Sequence, residues 1–524
     1  AALRETVAAH VLVEAADRLD FRHALMREAI YADLLAGERI ALHRRIAGAL
    51  ERAGGPVNHG ELARHWDAAG VHARALTASI RAGQAAAQTY AFRDALAHFE
   101  RALELWPAAP GAHDQAPLDR AGLLAEAAEA ARLLGDVERA MTLCREALAA
   151  VDPVAEAPRA ACLHERLGRY CTWDPQQALG SYGTALELLG PTPSAQRARV
   201  LGNDGLALMY LDRLDDARRR CEEAVEVARA AAAPAEEASA RSTLGVVLAF
   251  LGRPAEGEAQ LRSALVIATR LGRAEDVGRA HIHLAEVLRY RGRIAEALQV
   301  CIDGERAARR LGIAGLFGGY LSLNVAEDLF HLGRWAEAGA RLAAIDLDRL
   351  EPTGRQLWHS IAGRLEVARG NAPGGREQLE TARALGEGLP GEQVPNIYAG
   401  LAELALRAGR AADARRLVAE GLSLVGDGGD ALTPPIRRAR GDRVPAADAD
   451  REAASALTAR LERLLDVPEG RAVPPLGRAH LAECHAQLAE LDGRPAGAHW
   501  RRAEQAWQAL EHHHRATGAR RRAT

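Results

Sequence analysis

The amino-acid sequence predicts an all-α fold in which helical hairpins stack into a repeat array. Hydrophobic residues make up 48% of the chain but aromatic residues only 4%, and the helix-favouring Ala, Leu, Arg and Glu are abundant. Runs of the β-branched residues that favour strands are almost absent. Because 524 residues exceed what a single hydrophobic core supports, we expect several domains or one elongated array.

A turn that contains glycine recurs through the middle of the sequence, and a small residue follows each turn glycine five positions later. The turns are centred on Gly252, Gly292, Gly333, Gly370 and Gly409. We name the small residue the anchor of its unit, and successive anchors are 40, 41, 37 and 39 residues apart. Counting backwards extends the series, and the anchors are then Ala95, Ala140, Ala178, Ala217, Gly257, Ala297, Ala338, Gly375 and Ala414.

The residues around each anchor repeat as well. A larger apolar residue often lies four positions after the anchor and a small one seven after it, on the same helical face. A further small residue lies twelve positions before the anchor in most units, at Gly83, Ala128, Gly205, Gly245, Ala285, Ala326, Gly363 and Ala402. We therefore predict one helical hairpin per unit, with small residues that let the two helices approach closely. A left-handed glycine ends the first helix, and stacking of the hairpins forms the core.

This pattern resembles the tetratricopeptide repeat. The clearest unit spans 76–107, where Gly83, Ala95, Phe99, Ala102 and Pro107 stand at the family's positions. The resemblance implies a tetratricopeptide-like solenoid in a right-handed superhelix, with nine or ten units over 76–510. The period near 40 exceeds the usual 34, so we expect longer helices or connections.

Changes in composition suggest domain limits. We predict a small helical N-terminal segment over 1–75, repeats over 76–425, an irregular linker over 426–450 and further helical repeats over 451–510. Within the linker, Pro434-Pro435 and a Gly-Asp-rich stretch exclude a continuous helix. The stretch 107–117 is predicted to be a linker or long loop, and the basic tail 511–524 is predicted to be disordered.

The first hundred residues carry a second resemblance. The segments FRHALMREAIY (21–31), LHRRIAGALE (42–51), ELARHWDAAG (61–70) and RALTASIRAGQ (74–84) follow one another in this order. This succession resembles actinobacterial large LuxR-type (MalT-like) transcriptional regulators of the STAND ATPase class. The resemblance implies that 1–75 joins an upstream ATPase and winged-helix region to a repeat sensor.

The LuxR-type family also implies an ATP-binding domain before the sensor and a helix-turn-helix DNA reader after it. The sequence contains neither a phosphate-loop motif nor any lysine, and no helix-turn-helix pattern follows Leu510. We therefore expect no cofactor and no direct nucleic-acid contact in these residues, with ATP and DNA implied only for parts outside them. Two alternatives stay open, namely the repeat region of a class III adenylate cyclase-type ATPase protein and a free-standing interaction scaffold.

Other chemistry has little support in the sequence. The net charge of −3 leaves no basic footprint, and no apolar run reaches the 18 residues needed to cross a bilayer. The six cysteines form no C-x-x-C pair, which is typical of buried thiols in a reducing cytoplasm. Structural roles are favoured for His281 with His283, for 512–514, and for the cluster of His23, Arg27, Glu28 and Tyr31. We expect a cytoplasmic protein that is not an enzyme, with no catalytic, metal or cofactor-binding residues.

One set of residues suggests a ligand site. Tyr210, Phe250, Tyr290 and His331 each lie seven positions before an anchor, and we name these four residues the ladder. The equivalent position in tetratricopeptide repeats lies near the end of the first helix and often faces the concave groove. Stacked units would then line that groove with aromatic rings, for a protein partner or a small effector. The alternative is that the rings fill gaps between hairpins. Three charged residues complete the candidate lining, and they are Glu286, Arg289 and Glu327.

Overall fold

The computed structural model describes residues 2–15, 18–53, 58–171, 174–313, 317–386, 394–425, 475–510 and 512–523, with a few positions between 455 and 462. The chain divides into two compact units, Ala1–Thr172 and Trp173–Thr524, which we name unit 1 and unit 2. The predicted linker at 426–450 and most of the helical segment predicted after it lie outside the described residues.

Unit 1 is built mainly of helices joined by short turns. Its described elements in chain order are α1 (Ala2–Ala8), β1 (Leu12–Ala15), β2 (Arg18–Phe21), α2 (Ala24–Asp33), α3 (Ala36–Arg52), α4 (His59–Ala68), α5 (His72–Gln88), α6 (Phe92–Leu105), α7 (Arg120–Leu133), α8 (Val137–Ala149) and α9 (Ala157–Tyr170).

Unit 2 continues with helices of similar length. Its described elements are α10 (Pro175–Leu189), α11 (Ala195–Tyr210), α12 (Leu214–Ala230), α13 (Pro234–Phe250), α14 (Pro254–Leu271), α15 (Ala274–Tyr290), α16 (Ile294–Arg310), α17 (Gly319–His331), α18 (Trp335–Ala343), α19 (Pro352–Arg369), α20 (Ala372–Leu385), α21 (Val394–Arg407), α22 (Ala411–Val425), α23 (Pro475–Leu491), α24 (Gly497–Ala509) and α25 (His513–Ala523).

The predicted all-α, tetratricopeptide-like repeat is confirmed. Consecutive helices pair as hairpins, such as α5 with α6, α13 with α14 and α19 with α20. Within a unit, neighbouring hairpins pack on one another, as α14 does on α15 and α16 on α17. Every alanine anchor is at most 4% exposed, and the anchors Gly257 and Gly375 are buried too. In unit 2 one cluster of apolar side chains extends from Ala249 to Leu365, across three successive hairpins and into the first helix of a fourth. Stacking of hairpins therefore supplies the core.

Close approach between the two helices of a hairpin follows from the predicted small residues. A Cβ placed on Gly245 would lie 2.6 Å from Leu261 Cγ and 2.8 Å from the carbonyl oxygen of Gly257. A Cβ on Gly83 would lie 2.5 Å from the ring of Phe99. In both hairpins the residue four after the anchor occupies the space above the residue twelve before it. The small residue twelve before the anchor and the larger residue four after it are thus the two sides of one contact between the helices.

The turns have the backbone that the glycines predict. Gly252, Gly292, Gly333, Gly370 and Gly409 all have φ between 72° and 88°, in the left-handed region. The backbone N–H of Gly252 donates to the carbonyl of Ala249, and the N–H of the next residue donates to the carbonyl of Leu248. These hydrogen bonds satisfy the last carbonyl groups of α13 and direct the chain into α14.

Two features of the fold differ from the sequence prediction. The N-terminal segment is helical, but it also contains an antiparallel hairpin of β1 and β2, in which Leu12 pairs with Phe21. The prediction that the tail 511–524 is disordered is wrong for His513–Ala523, which form α25. The basic tail is ordered because Arg515 pairs with Glu483 at 2.8 Å and Arg522 lies 4.6 Å from the ring of Trp500.

The predicted loop at 107–117 is a compact connection. It contains two short 3-10 helices, Trp106–Ala108 and Pro110–Gln115. The rings of Trp106 and His113 stack with centroids 4.4 Å apart, and the His113 Nε2 lies 2.8 Å from the carbonyl oxygen of Trp106. The prolines end α6, and the stacked rings fold the connection back on itself.

We predict that Gly257→Ala lowers the stability of unit 2 by about 1–3 kcal/mol, because the added methyl group overlaps the Gly245 carbonyl oxygen. Gly180→Ala is the matched control, since a Cβ there meets nothing within 4 Å. The control should gain up to about 1 kcal/mol from helix propensity. Urea unfolding followed by circular dichroism at 222 nm measures both, and equal midpoints for the two variants would contradict the close-approach contact.

Candidate functional site

The four ladder residues occupy one equivalent position in successive hairpins. Tyr210, Phe250, Tyr290 and His331 are the last residues of α11, α13, α15 and α17. A residue with left-handed backbone follows each of them two positions later, and that residue is Asp212 in the first turn and glycine in the others. The four ladder residues therefore lie at the ends of the first helices of their hairpins.

Exposure differs along the ladder. Tyr210 is 40% exposed and Phe250 is half-buried, whereas Tyr290 is only 7% exposed. Burial raises the pKa of the Tyr290 hydroxyl to about 12. Tyr210 and Phe250 thus retain exposed ring surface, while Tyr290 fills space inside the repeat.

The charged residue Arg289 lies in an ion pair between neighbouring hairpins. Its Nε donates to Asp328 Oδ1 at 2.6 Å, and the Asp328 side chain is fully buried. Burial alone would lower the pKa of Arg289, but the carboxylate of Asp328 together with Cys301 and Glu327 raises it. Arg289 therefore carries a permanent charge that ties α15 to α17.

Glu327 makes the next ion pair along the array. Its Oε1 accepts from Arg364 at 2.9 Å, which connects α17 to α19, and both side chains are buried. The Arg364 guanidinium also lies 5.2 Å from the ring of Phe330. Glu286 differs, since it is half-exposed and has no ion pair among the described residues. Of the three predicted charged residues, Glu286 is the one left facing solvent.

Sequence reasoning missed that these pairs belong to a longer series. In unit 1, Arg166 pairs with Glu126 and Arg169 with Glu129, in each case across 40 residues. The Tyr170 hydroxyl adds a 2.9 Å hydrogen bond to Glu129. A sequence signal for these pairs did exist. On the first helices, a carboxylate and an arginine lie about 40 residues apart, which equals the repeat length. These bonds join α7 to α9, as those of Arg289 and Glu327 join α15 to α17 and α17 to α19.

His331 has a partner far away in the sequence. Its Nδ1 lies 2.8 Å from Nε2 of His512, in a hydrogen bond between two imidazole rings. The ring centroids are 4.7 Å apart, and His331 Nε2 lies 3.7 Å from Glu327 Oε1. The fourth ladder position is thus in contact with the turn between α24 and α25. Neither His512 nor the neighbouring Leu510 was predicted as part of the site.

His281 and His283 have structural partners, and the cysteines are not paired with one another. His281 Nδ1 lies 2.7 Å from the carbonyl oxygen of Val277, and His283 Nδ1 lies 3.0 Å from the Ser242 hydroxyl. The six cysteines are free thiols, and burial raises the pKa of Cys144, Cys221 and Cys301 to about 12. A thiol with so high a pKa stays protonated and is a poor nucleophile. The described residues contain no group of three or more side chains suited to hold a metal ion.

One member of the predicted N-terminal cluster, Tyr31, contacts the following helix. The Tyr31 hydroxyl lies 2.9 Å from His43 Nε2, and His43 Nδ1 lies 2.7 Å from His65 Nδ1. Burial, followed by the charge of Arg64, lowers the pKa of both imidazoles. These bonds connect α2 to α3 and α4, as a packing contact does.

Apolar side chains on β1, β2 and α2 are exposed. No described residue of α2 is buried, although the helix carries several large apolar side chains. Leu25 is 77% exposed and Ile30 48%, and Leu35, just beyond the helix, is 72% exposed.

Among the described residues, no helix is both long and apolar enough to span a membrane.

Comparisons with known proteins gave no family. No family model matches the sequence, and no curated protein does. Among solved structures, a tetratricopeptide repeat protein from Parabacteroides merdae has 18% identity over 51% of this chain and 93% of its own, with a TM-score of 0.35. A STAND protein with a tetratricopeptide repeat sensor from Pyrococcus horikoshii has 12% identity over 80% of this chain and 57% of its own, with a TM-score of 0.38. A Rap protein in complex with competence and sporulation factor has 10% identity over 67% of this chain and 98% of its own, with a TM-score of 0.44.

We predict that His283 makes unit 2 less stable in acid. Burial, followed by the charge of Arg279, lowers the pKa of His283 to about 4, from an ordinary value of 6.5 in the unfolded chain. The unfolded state therefore binds the proton more readily, so the stability is complete above pH 6.5 and falls between pH 6.5 and 4. At about 1.4 kcal/mol per pH unit, the loss amounts to roughly 2–3 kcal/mol.

The variant His283→Gln keeps a hydrogen-bonding group for Ser242 but has no titrating ring. Its urea midpoint should therefore fall less than that of the wild-type protein between pH 7 and 4. Taking the difference between the two proteins removes the contributions of the other histidines. Parallel pH profiles would show that His283 is not the group responsible.

Proposed function

We propose that this chain is a regulatory binding module that senses a protein partner or small effector through the exposed half of its ladder. The observation that carries the proposal is the pair of rings Tyr210 and Phe250, which occupy the same position in successive hairpins and retain exposed surface. Rings held at a fixed repeat spacing on rigid helices suit an extended peptide or a helix, because they bind with little loss of side-chain entropy.

The charges near the ladder suggest what the partner carries. Arg289 and Glu327 are neutralised by Asp328 and Arg364, so they offer little net charge to a ligand. Glu286 is half-exposed and lies one helical turn before Tyr290, on the same face. A ligand that combines an apolar or aromatic group with a basic group fits this arrangement best.

We further propose that the module belongs to an ATP-dependent LuxR-type transcriptional regulator. The N-terminal segments that resemble this family support the assignment, and they form the consecutive helices α2, α3, α4 and α5. The exposed apolar side chains of α2 support a protein contact there, where the resemblance implies an ATPase region. Effector binding to the repeats would then shift the population of ATPase states. The alternatives remain a class III adenylate cyclase-type protein and a scaffold.

The flanking coding sequence separates these alternatives. A phosphate-loop motif upstream together with a helix-turn-helix downstream agrees with the LuxR-type regulator. A cyclase catalytic domain upstream would favour the second alternative. Stop codons directly at both ends would favour the scaffold and contradict the regulator.

We predict that Tyr210→Ala weakens ligand binding about five- to thirtyfold, since an exposed aromatic ring at the centre of an interface contributes on the order of 1–2 kcal/mol. The ligand for this test is a peptide selected by display against the full chain, and calorimetry measures its affinity. Val266→Ser is the matched control, because Val266 is 68% exposed on α14, the second helix of its hairpin. Equal affinities for the wild-type protein and Tyr210→Ala would contradict the ladder as the binding site.

A further inference from the structure

The three helices α23, α24 and α25 form a compact group that we name the C-terminal body. Its core contains the fully buried rings of Trp500 and Trp507 together with small residues such as Ala479 and Ala503. Each indole N–H donates to a carboxylate of α23, Trp500 to Glu490 at 2.6 Å and Trp507 to Glu483 at 3.1 Å. The C-terminal body thus has an interior of its own.

Among the described residues, the C-terminal body contacts the repeats at the turn between α24 and α25. The turn contains Leu510 and His512, and the backbone N–H of His512 donates to the carbonyl of Trp507 at 2.9 Å. On the repeats, Leu510 lies directly over Gly292, and His512 bonds to His331. We name this contact the latch. It joins the turn after α15 and the end of α17 to the C-terminal body.

Gly292 stands apart from the equivalent glycines of other units. A Cβ on Gly333, Gly370 or Gly409 would meet nothing within 4 Å. A Cβ on Gly292 would overlap Leu510 Cδ2. The surface over Gly292 is therefore covered by an apolar side chain, whereas the equivalent surfaces in three later hairpins are open.

The polar half of the latch has a definite chemical requirement. Two imidazole nitrogens at 2.8 Å share one proton, so one ring donates and the other accepts. The ring of Trp507 packs edge-on against His512 with centroids 5.1 Å apart, which holds the imidazole in place. The surface formed by Gly292 and His331 thus contacts two features of the turn. One is an aliphatic side chain, and the other, two residues later, is a hydrogen-bonding ring.

We propose that the latch is a built-in occupant of the fourth ladder position, and that a partner reaches His331 only when the latch opens. A competing partner would present the same features, namely a helix end with a leucine-like side chain followed two residues later by a hydrogen-bonding ring. The inference rests on the proposed function, since it names the kind of partner that the ladder accepts.

The test measures the chemical accessibility of His331 in the full chain. Diethyl pyrocarbonate modifies exposed imidazoles, and mass spectrometry of the digested protein gives the modification rate of each histidine. Gly292→Ala should push Leu510 away and raise the modification rate of His331 several-fold. Gly370→Ala is the matched control, because both glycines have left-handed backbone, with φ of 76° and 88°, but only Gly292 is covered.

A second variant separates opening of the latch from damage to the turn. His512→Ala removes the hydrogen bond without changing the turn after α15, and it should also raise the modification rate of His331 several-fold. Hydrogen exchange of α24 checks that the C-terminal body stays folded. An unchanged rate in both variants, or an equal rise in Gly370→Ala, would overturn the proposal. Loss of peptide binding in Tyr210→Ala plays no part in this experiment, so the proposed function and the latch can fail separately.

Discussion

The close contact inside each hairpin is the constraint on which the rest of the structure depends. A small residue twelve before the anchor leaves room for the side chain four after it, and Phe99, Cys221, Leu261 and Leu379 fill that room in four hairpins. Helices this close cannot slide or rotate without overlap, because protein interiors are densely packed. The position of every other residue in the hairpin follows from this contact. It sets the turn, and the turn sets where the ladder residues lie.

A second set of interactions joins one hairpin to the next. Ion pairs and hydrogen bonds connect first helices across 37 to 41 residues, as between Arg289 and Asp328 or between His283 and Ser242. A buried ion pair adds modest net stability because both charges lose water, but a buried charge without its partner is costly. Such pairs therefore favour one stacking register over its alternatives. They also use charged residues that would otherwise be available to a ligand.

Periodicity made the hairpins predictable from the sequence. The anchors, the turn glycines and the small residues twelve before the anchors recur at a spacing near 40 residues, and all of them have the predicted burial or backbone. The β-hairpin at 12–21 was missed because each strand has only four residues, too few for a periodic signal. Order in the tail was missed because composition alone does not show that Glu483 and Glu490 meet its arginines.

The candidate site was predictable only in part. The positions of the ladder residues follow from the repeat, since they depend on local spacing. Their exposure does not, because Tyr290 is buried by its tertiary surroundings and His331 meets a residue 181 positions later. The ion pairs could not be predicted from local spacing either. Arg289 and Glu327 look like unpaired groove residues in the sequence, and only the structure shows Asp328 and Arg364 beside them. The local sequence pattern predicts where the helices lie, and long-range contacts determine which of their side chains are exposed to a ligand.

The most direct measurement of the central contact is a double-mutant cycle on Gly205 and Cys221. A Cβ on Gly205 would lie 2.5 Å from Cys221 Sγ, so the sulfur fills the space that the glycine leaves. Gly205→Ala alone should destabilise unit 2, and Cys221→Ala should remove much of that penalty in the double variant. Urea unfolding should give a favourable coupling of about 1 kcal/mol or more. Strictly additive effects would contradict the account, because they would mean that the two positions do not share one space.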